Sequence, residues 1–429
     1  MPNVLVLGSG GREHAIARVL FRDHNVEEVH VCPGNPGMER DNLICHPGDV
    51  SDFPAIAQLL LHLGCDMLVV GPEAPLVGGL VDFLHAQPGL EQLPIVGPDA
   101  AGARLEGSKA FAKAFMEKYK IPTASYRVFH AEQAAEALAY IDTVAPPYVV
   151  KADGLAAGKG VAICATREEA AATLQGYFAG RFGEAGTTLL IEQFLEGIEL
   201  SVFVLTDGDH AVVFPEAKDY KRVGDHDQGA NTGGMGSVSP VPFLHDDLRE
   251  KILDRIVFPT LQGLREERIR YCGWIFFGLM CTPAGDPYLI EYNVRLGDPE
   301  AQVLLPRVDE SLYTLLRQAT RGELIDRYAR AVPDSFVSVT LAAQGYPSHP
   351  QKGASIAFLP TPPHAALIYS GVSGRPDALV TAGGRVMSAV GRGPTLYTAV
   401  TRAYQAASSV VFEGKNYRHD IAQDLLNKR

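Results

Sequence analysis

Val4–Leu7 is a short apolar run that stops at Gly8-Ser9-Gly10-Gly11 and leads into a helix-compatible stretch from Arg12 to Phe21. A buried strand, a glycine turn and a helix, in that order, open a βαβ unit. Such units build parallel sheets whose functional loops lie at the C-terminal ends of the strands. Three further runs repeat the pattern. Val29–Cys32 ends at Pro33-Gly34-Asn35, Met67–Val70 at Gly71-Pro72-Glu73-Ala74, and Ile95-Val96 at Gly97-Pro98-Asp99-Ala100. The repeated V-G-P-[DE]-A ending predicts two parallel strands that finish on one edge with similar turns. Residues 1–104 are therefore expected to form a small doubly wound α/β domain.

A chain of 429 residues has room for two to four domains. A second region starts near Leu105. Ser108 is placed to cap a helix over Lys109–Tyr119, and Pro122 closes that segment. Tyr148–Lys151 reads as a strand running into the glycine loop Asp153–Gly160, with Val161–Cys164 returning beside it. Thr166 and Glu169 form a capping box for a helix over 167–178. Strands are expected at Leu189–Glu192, Leu200–Thr206, Ala211–Phe214, Trp274–Cys281 and Pro287–Tyr292, and a helix over 245–267. Residues 217–240 are polar, glycine-rich and without periodicity, which reads as a long functional loop. A third unit, about 330–429, holds a strand at 336–343, hairpin-like runs around Gly371 and Gly383-Gly384, and a helix at 396–409. Pro333-Asp334-Ser335 reads as the linker into it.

Composition narrows the function. The 38 basic and 50 acidic residues give a net charge of −12, a poor match to sequence-independent nucleic-acid binding, which needs a basic face. A basic pocket for a small anion remains allowed. None of the 6 cysteines forms C-x-x-C, so reduced thiols are favoured over a zinc ribbon or a disulfide framework. MPNVLVLGSGG lacks a basic n-region, and no apolar run approaches the roughly 18 residues of a membrane span. A cytoplasmic protein with neither nucleic acid nor membrane as partner is expected.

Five motifs carry chemistry. Gly8–His14 imitates a dinucleotide fingerprint, but Glu13 stands where its third glycine belongs; it suits either an anion at a helix N-terminus or a plain tight turn. Lys151–Gly160 puts one lysine at a strand end and a second, Lys159, in a small-residue loop, which suits a polyphosphate. Gly160 after Lys159 rules out a Walker A loop; a flexible hairpin is the alternative. Ile191–Glu199 ends a strand with carboxylates beyond it, as a nucleoside site or an ordinary turn would. Asp219–Asp225, running through Asn231–Gly236, mixes both charges with glycines. Glu291–Glu300 is the strongest signal: on a strand Glu291 and Asn293 share a face, and two hard oxygen ligands so spaced suit Mg²⁺. Arg295 continues in the same direction and can clamp an anion or an acyl oxygen.

With these elements in this order the chain resembles the ATP-grasp superfamily. Within it, the chain is similar to the phosphoribosylamine–glycine ligase family of purine biosynthesis. The resemblance rests on GSGGREH, VGPEAPL, LEGSKAF, VVKADGLAAGKGV, DYKRVGDHDQGANTGGMG and RLGDPEAQ. It implies an α/β and α+β multidomain architecture: a Rossmann-like substrate-binding domain over 1–104, a two-lobed ATP-grasp module over 105–329 with a mobile lobe at about 123–195, and a small α+β domain over 330–429. It also implies roles. Lys109 and Lys151 would contact nucleotide phosphates, and loop 154–160, with Gly158 and Lys159, would close over them. Glu192 and Leu195 would read adenine, Phe194 would join the nucleotide site, and Glu199 would hold the ribose. Glu291 and Asn293 would ligate Mg²⁺ or Mn²⁺. Gly10, Gly11, Arg12, Glu13, Pro72 and Glu73 would face 5-phosphoribosylamine. Asp219, Lys221, Arg295 and Asp298 would line the reacting centre, with Arg295, Lys159 and Asp298 catalytic. The implied reaction joins glycine to 5-phosphoribosylamine with ATP, with transient contact to the upstream amidophosphoribosyltransferase as a further implication.

The chain departs from the family at Tyr220 and Ala230, where His and Pro are commoner, and at Leu279, where many relatives place an upstream metal carboxylate. Three rivals compete: another ATP-grasp ligase or carboxylase of purine biosynthesis, a nicotinamide-dependent oxidoreductase, and a non-catalytic nucleotide sensor. NTGGMG and VGPEAPL count against the first. The missing third glycine and the absence of an acidic residue closing the second strand count against the second. An intact set of lysines, metal ligands and arginine counts against the third.

Overall fold

The computed structural model describes residues 1–155, 160–181 and 183–426. Five strands, Asn3–Gly8, Glu28–Pro33, Ile44–Cys45, Met67–Val70 and Ile95–Val96, form a wholly parallel sheet. Their spatial order is third, second, first, fourth, fifth. The order reverses beside the first strand, so the turn Gly8–Gly11 sits where doubly wound sheets open a crevice. Gly8 has φ +124°, and a Cβ there would lie 2.4 Å from Glu13 Cγ. The helix Gly11–Phe21 starts where the Gly10 N–H donates to Glu13 Oε2 at 2.7 Å.

The middle of the chain builds two sheets. A four-stranded antiparallel sheet is ordered Tyr126–His130, Thr188–Gln193, Tyr148–Ala152, Val161–Cys164. It rests on its own small core around Phe129, Val150 and Leu189. A five-stranded sheet is ordered Pro287–Asn293, Gly273–Cys281, Ile198–Thr206, Ala211–Val213, Arg327–Tyr328. Its Leu200, Val204 and Phe277 belong to one apolar cluster with Leu5, Leu7 and Val70 of the parallel sheet. The larger lobe is thus packed into the first domain, whereas the smaller lobe carries a separate core.

A further sheet is ordered Lys218–Asp219, Gly236–Ser239, Ser335–Ala342, Arg385–Gly393, Ala365–Tyr369. The helix Leu396–Ser408 covers it with Ala399, Ala403, Ala406 and Ala407. That alanine face permits close approach: a Cβ on Gly391 would stand 2.3 Å from the Ala399 carbonyl oxygen. No helix among the described residues is long and apolar enough to cross a membrane.

Four sequence expectations need correction. Residues 217–240 are not a loop. They hold the strands Lys218–Asp219 and Gly236–Ser239 and a small hairpin of Arg222–Gly224 with Gln228–Asn231. These strands show no alternation because a distant strand, Ser335–Ala342, supplies the pairing edge for Gly236–Ser239. The linker ends earlier than expected, since Ser335 already opens that strand and Asp334 accepts from Arg392 Nε at 2.5 Å. The helix expected over 245–267 runs as Asp246–Ile252, a wider turn Leu253–Val257, then Phe258–Glu266; Pro259 brings no N–H to an α-turn. The helix from Arg167 ends at Gly176.

Tyr220 ties the 218–239 segment to the end of the chain. It is 2% exposed; its hydroxyl donates to Asp424 Oδ1 at 2.6 Å and accepts from the Ala422 N–H at 3.1 Å. Lys218 pairs with the same carboxylate. Tyr220→Phe is expected to cost about 1 to 3 kcal/mol, read as a lowered thermal midpoint. An unchanged midpoint would remove the hydroxyl from the account.

Candidate active site

The last turn of the Pro287–Asn293 strand organises the site. Glu291 pairs with Gly278 and Asn293 with Phe276 on the neighbouring strand, with an irregularity at Gly278/Leu279. Burial would raise the Glu291 carboxyl, but Lys221, Lys151, Lys109 and Arg295 hold it below the ordinary glutamate range. Lysines from three separate parts of the chain, with Arg295 four residues along, thus favour the ionised form of one carboxylate. Asn293 is buried, and its Nδ2 has no hydrogen-bond partner among the described residues. An ionised carboxylate beside a buried amide fits a divalent cation if the amide presents Oδ1, its acceptor atom, to the ion. No cluster of three or more His, Cys, Asp or Glu side chains suited to a metal occurs among the described residues. Leu279 is buried and pairs with Leu289. The donor set therefore fits an ion whose remaining ligands come from water and phosphate oxygens.

The small lobe contributes Lys151 and Glu192. Glu192 Oε2 lies 3.0 Å from Lys151 Nζ and 3.1 Å from Lys113 Nζ, while Oε1 is buried without a partner. Lys113 lies one helical turn beyond Lys109 and was not singled out in the sequence; that spacing was the available signal. Burial pushes the Lys113 ammonium down to about 8, against the pull of Glu192. Lys109 Nζ donates to the Gly154 carbonyl at 2.8 Å. Ser108 accepts from the Phe111 N–H at 3.1 Å, as a cap should, and donates to Asp153 Oδ2 at 3.1 Å. Phe194 is exposed and Leu195 half-buried at the strand end. Gly158 and Lys159, and with them most of the 154–160 loop, lie outside the described residues.

The reacting-centre candidates form a second charged group. Lys221 Nζ lies 2.6 Å from Glu199 Oε2, so Glu199 faces Lys221 rather than standing alone as a ribose ligand. Burial opposes the Lys221 charge, but Glu199, Asp219 and Glu291 keep its pKa well above the lysine value. Burial pushes Asp219 up to about 6, with Lys221 opposing. Glu300, which accepts from Ser201 Oγ at 3.3 Å, is pushed up to about 8 by burial and then by Asp219.

The first domain supplies the opposite wall. Glu13 is turned inward, its Oε2 on the Gly10 N–H at 2.7 Å and its Oε1 on Arg12 Nε at 2.6 Å. Pro72 packs on the same turn, 3.1 Å from where a Gly8 Cβ would stand. Arg12 Nη1 donates to the Leu296 carbonyl at 3.2 Å and lies 3.9 Å from Glu73. Arg295 Nε donates to Glu73 at 3.2 Å, and its Nη2 to Glu106 at 2.7 Å. Burial lifts Glu106 to about 7, against Arg295. Asp298 is held below the aspartate range, despite burial, by Arg385 and Arg12. Arg385 comes from the C-terminal sheet and donates to the Gly233 and Asp298 carbonyls at 2.7 and 2.6 Å. A Cβ on Gly11 would meet Gln302 at 2.5 Å, Ser370 at 2.7 Å and Asp298 at 3.5 Å. Sequence reading missed Glu106 and Arg385; only Glu106 lay inside a quoted motif.

The Phosphoribosylglycinamide synthetase N domain matches residues 2–106, its ATP-grasp (A) domain 107–301 and its C domain 336–424. A phosphoribosylamine–glycine ligase of Vibrio cholerae is 40% identical over 422 residues, covering 97% of each chain. One from Mesorhizobium japonicum is 42% identical over 98% of this chain and 97% of its own. The crystal structure of phosphoribosylamine–glycine ligase from Thermotoga maritima superposes with a TM-score of 0.82 at 38% identity, covering 98% of this chain and all of that one. The biotin carboxylase domain of the Hydrogenobacter thermophilus 2-oxoglutarate carboxylase, solved with MgADP, has a TM-score of 0.73 at 17% identity over 97% of this chain and 91% of its own, a likeness of fold.

Two carboxylates at the Arg295 junction give opposite pH limbs. Burial opposes the Glu73 charge, yet Arg295 and Arg12 hold it down at about 2, from an ordinary 4.5. Its stabilisation is complete above about 4.5 and is lost as pH falls toward 2. Glu106, raised to about 7, stabilises below about 4.5 and loses that contribution as pH rises to 7. Glu73→Gln is expected to flatten the acid limb below pH 4.5, worth up to roughly 3 kcal/mol, and to leave the 4.5–7 limb in place. Urea unfolding between pH 3 and 7 measures both; an unaltered acid limb would remove Glu73 from that balance.

Proposed function

The chain belongs to the phosphoribosylglycinamide synthetase family, and from that premise we infer how its cleft performs an ATP-dependent ligation. The enzyme joins glycine to 5-phosphoribosylamine in purine biosynthesis, releasing glycinamide ribonucleotide, ADP and phosphate. The observation that carries the residue assignment is one small pocket lined by Glu199, Asp219, Lys221 and Glu291, with Lys151 Nζ 3.4 Å from the neighbouring Ile290 carbonyl.

A glycine carboxylate is a poor electrophile, because its oxygens carry negative charge and neither leaves readily. Activation requires that one oxygen attack the γ-phosphorus of ATP, giving glycyl phosphate and ADP. The amine nitrogen of phosphoribosylamine then attacks the acyl carbon, the C–O bond to phosphate breaks, and the nitrogen gives up a proton. Lys109 and Lys151 neutralise phosphate charge from the side of the small lobe. Lys159 belongs to the same assignment. A divalent cation, Mg²⁺ or Mn²⁺ held by Glu291 and Asn293, supplies further charge neutralisation when bound. The Glu192 carboxylate fixes Lys151 and Lys113, and Leu195 with Phe194 forms the strand end beside which adenine would lie.

Arg295 stabilises the oxyanion of the second step. Asp219, Lys221 and Asp298 surround the reacting atoms, Lys221 paired with Glu199. Arg12, Glu73, Gly10 and Gly11 offer a helix N-terminus and a carboxylate to the phosphoribosylamine, while Glu13 and Pro72 hold that turn in shape. No Ser, Cys or His nucleophile is required. The six free cysteines support a cytoplasmic location, and the short life of phosphoribosylamine supports transient contact with the amidotransferase that makes it.

Two measurements test this reading. Glu291→Gln is expected to keep the fold and lose about 2 to 4 kcal/mol of transition-state stabilisation, seen as a fall in kcat/KM at limiting Mg²⁺. An unchanged value contradicts the metal assignment. Glycine labelled with ¹⁸O in its carboxylate is expected to deliver one labelled oxygen to the released phosphate. Unlabelled phosphate accompanying product would end the acyl-phosphate route.

A further inference from the structure

Glu106 sits near the end of the helix Ala100–Gly107. A carboxylate in the last turn of a helix opposes the macrodipole, and its side chain is only 8% exposed. A charge buried in that position needs committed partners. Both of its oxygens have one. Oε1 accepts from Arg295 Nη2 at 2.7 Å, and Oε2 accepts from the backbone N–H of Val294 at 2.7 Å. One carboxylate thus fixes both the guanidinium and the peptide between Asn293 and Val294.

Glu73, the second partner of Arg295, is placed differently. Its side chain is 29% exposed, and it is shared between Arg295 at 3.2 Å and Arg12 at 3.9 Å. Arg295 itself donates through Nε to Glu73, through Nη1 to the Leu296 carbonyl at 3.3 Å and through Nη2 to Glu106. Three of its five N–H groups are committed, and the other two have no partner among the described residues. A guanidinium held on one edge by a buried carboxylate keeps its remaining donors aimed without reorganisation.

We propose that Glu106 is the positioning residue that seats Arg295 for the amide-forming step, leaving the more exposed Glu73 to exchange its arginine contact for the amine substrate. The proposal rests on the assignment of Arg295 to the oxyanion. Without the Glu106 oxygen as acceptor for Nη2, Arg295 swings toward Glu73, phosphoryl transfer continues, and glycyl phosphate waits long enough to be lost to water.

The test compares Glu106→Gln, Glu106→Asp, Arg295→Lys and the double variant Glu106→Gln/Arg295→Lys, each checked for native thermal unfolding. Amide product and ADP are measured in the same full reaction. Glu106→Gln is expected to lower kcat for amide formation on the order of 10²-fold. ADP formation should fall less, so the ADP-to-amide ratio rises above one, and KM for ATP should stay within about twofold. Glu106→Asp should recover part of the loss, because it keeps both carboxyl oxygens as acceptors with a shorter reach. The double variant should be no slower than Arg295→Lys alone. Wild-type amide kcat in Glu106→Gln, or ADP and amide rates that fall equally with ratio one, would overturn the proposal while Arg295→Lys still uncouples the two products. If Arg295→Lys itself leaves the ratio at one, the oxyanion assignment fails, and the role of Glu106 falls with it.

Discussion

Arg295 is the charge on which the arrangement turns. It leaves the strand that carries Glu291 and Asn293, and its guanidinium meets a carboxylate from the first domain, Glu73, and another from the helix that joins the domains, Glu106. Burial works against a guanidinium there, yet Glu106 and Glu73 keep it charged. Take away the arginine and the buried Glu106 and the half-buried Glu73 lose their common partner. Removing one partner of a buried group costs far more than an exposed pair gains, so the domain contact and the proposed oxyanion donor rest on the same side chain.

The same economy holds across the cleft. Glu192 serves two lysines, and Lys221 is shared by Glu199, Asp219 and Glu291. Few charges here belong to a single pair, and the shared ones come from the first domain, both lobes and the C-terminal sheet. Substrate charges entering such a network redistribute partners instead of creating an isolated buried ion. That explains how one cavity can admit a triphosphate, a carboxylate and a sugar phosphate although the chain as a whole is acidic.

The sequence was most informative where function and local structure coincide. Gly8 can be read as a turn because its backbone needs a conformation that side chains resist, and Glu291 with Asn293 can be read as a ligand pair because a strand repeats every two residues. Lys113 and Glu106 escaped because their significance lies in partners 79 and 189 positions away, which neither a one-turn helical spacing nor a place inside a motif discloses. Glu13 adds what its motif did not show: both of its oxygens are bonded to the turn's own Gly10 and Arg12. The 217–240 segment misled for a physical reason as well. Strands of two to four residues carry too few side chains for a period, and the strand that joins them to the larger sheet, Ser335–Ala342, lies in another part of the chain.

That pairing has a consequence for synthesis. Gly236–Ser239 bonds to Ser335–Ala342, and Tyr220 bonds to residues 422 and 424. A ribosome adding about 5 to 20 residues per second delivers the first strand roughly 5 to 20 s before its partner, and Tyr220 waits longer still. In that interval the nascent chain has its glycine turn and much of its apolar core, but Gly236–Ser239 presents an unpaired edge on the side away from Lys218–Asp219, the kind of surface that invites association with other chains. The Gly236–Ser239 edge therefore closes only once residues 335–342 have been made, and a copy terminated before them keeps that edge open.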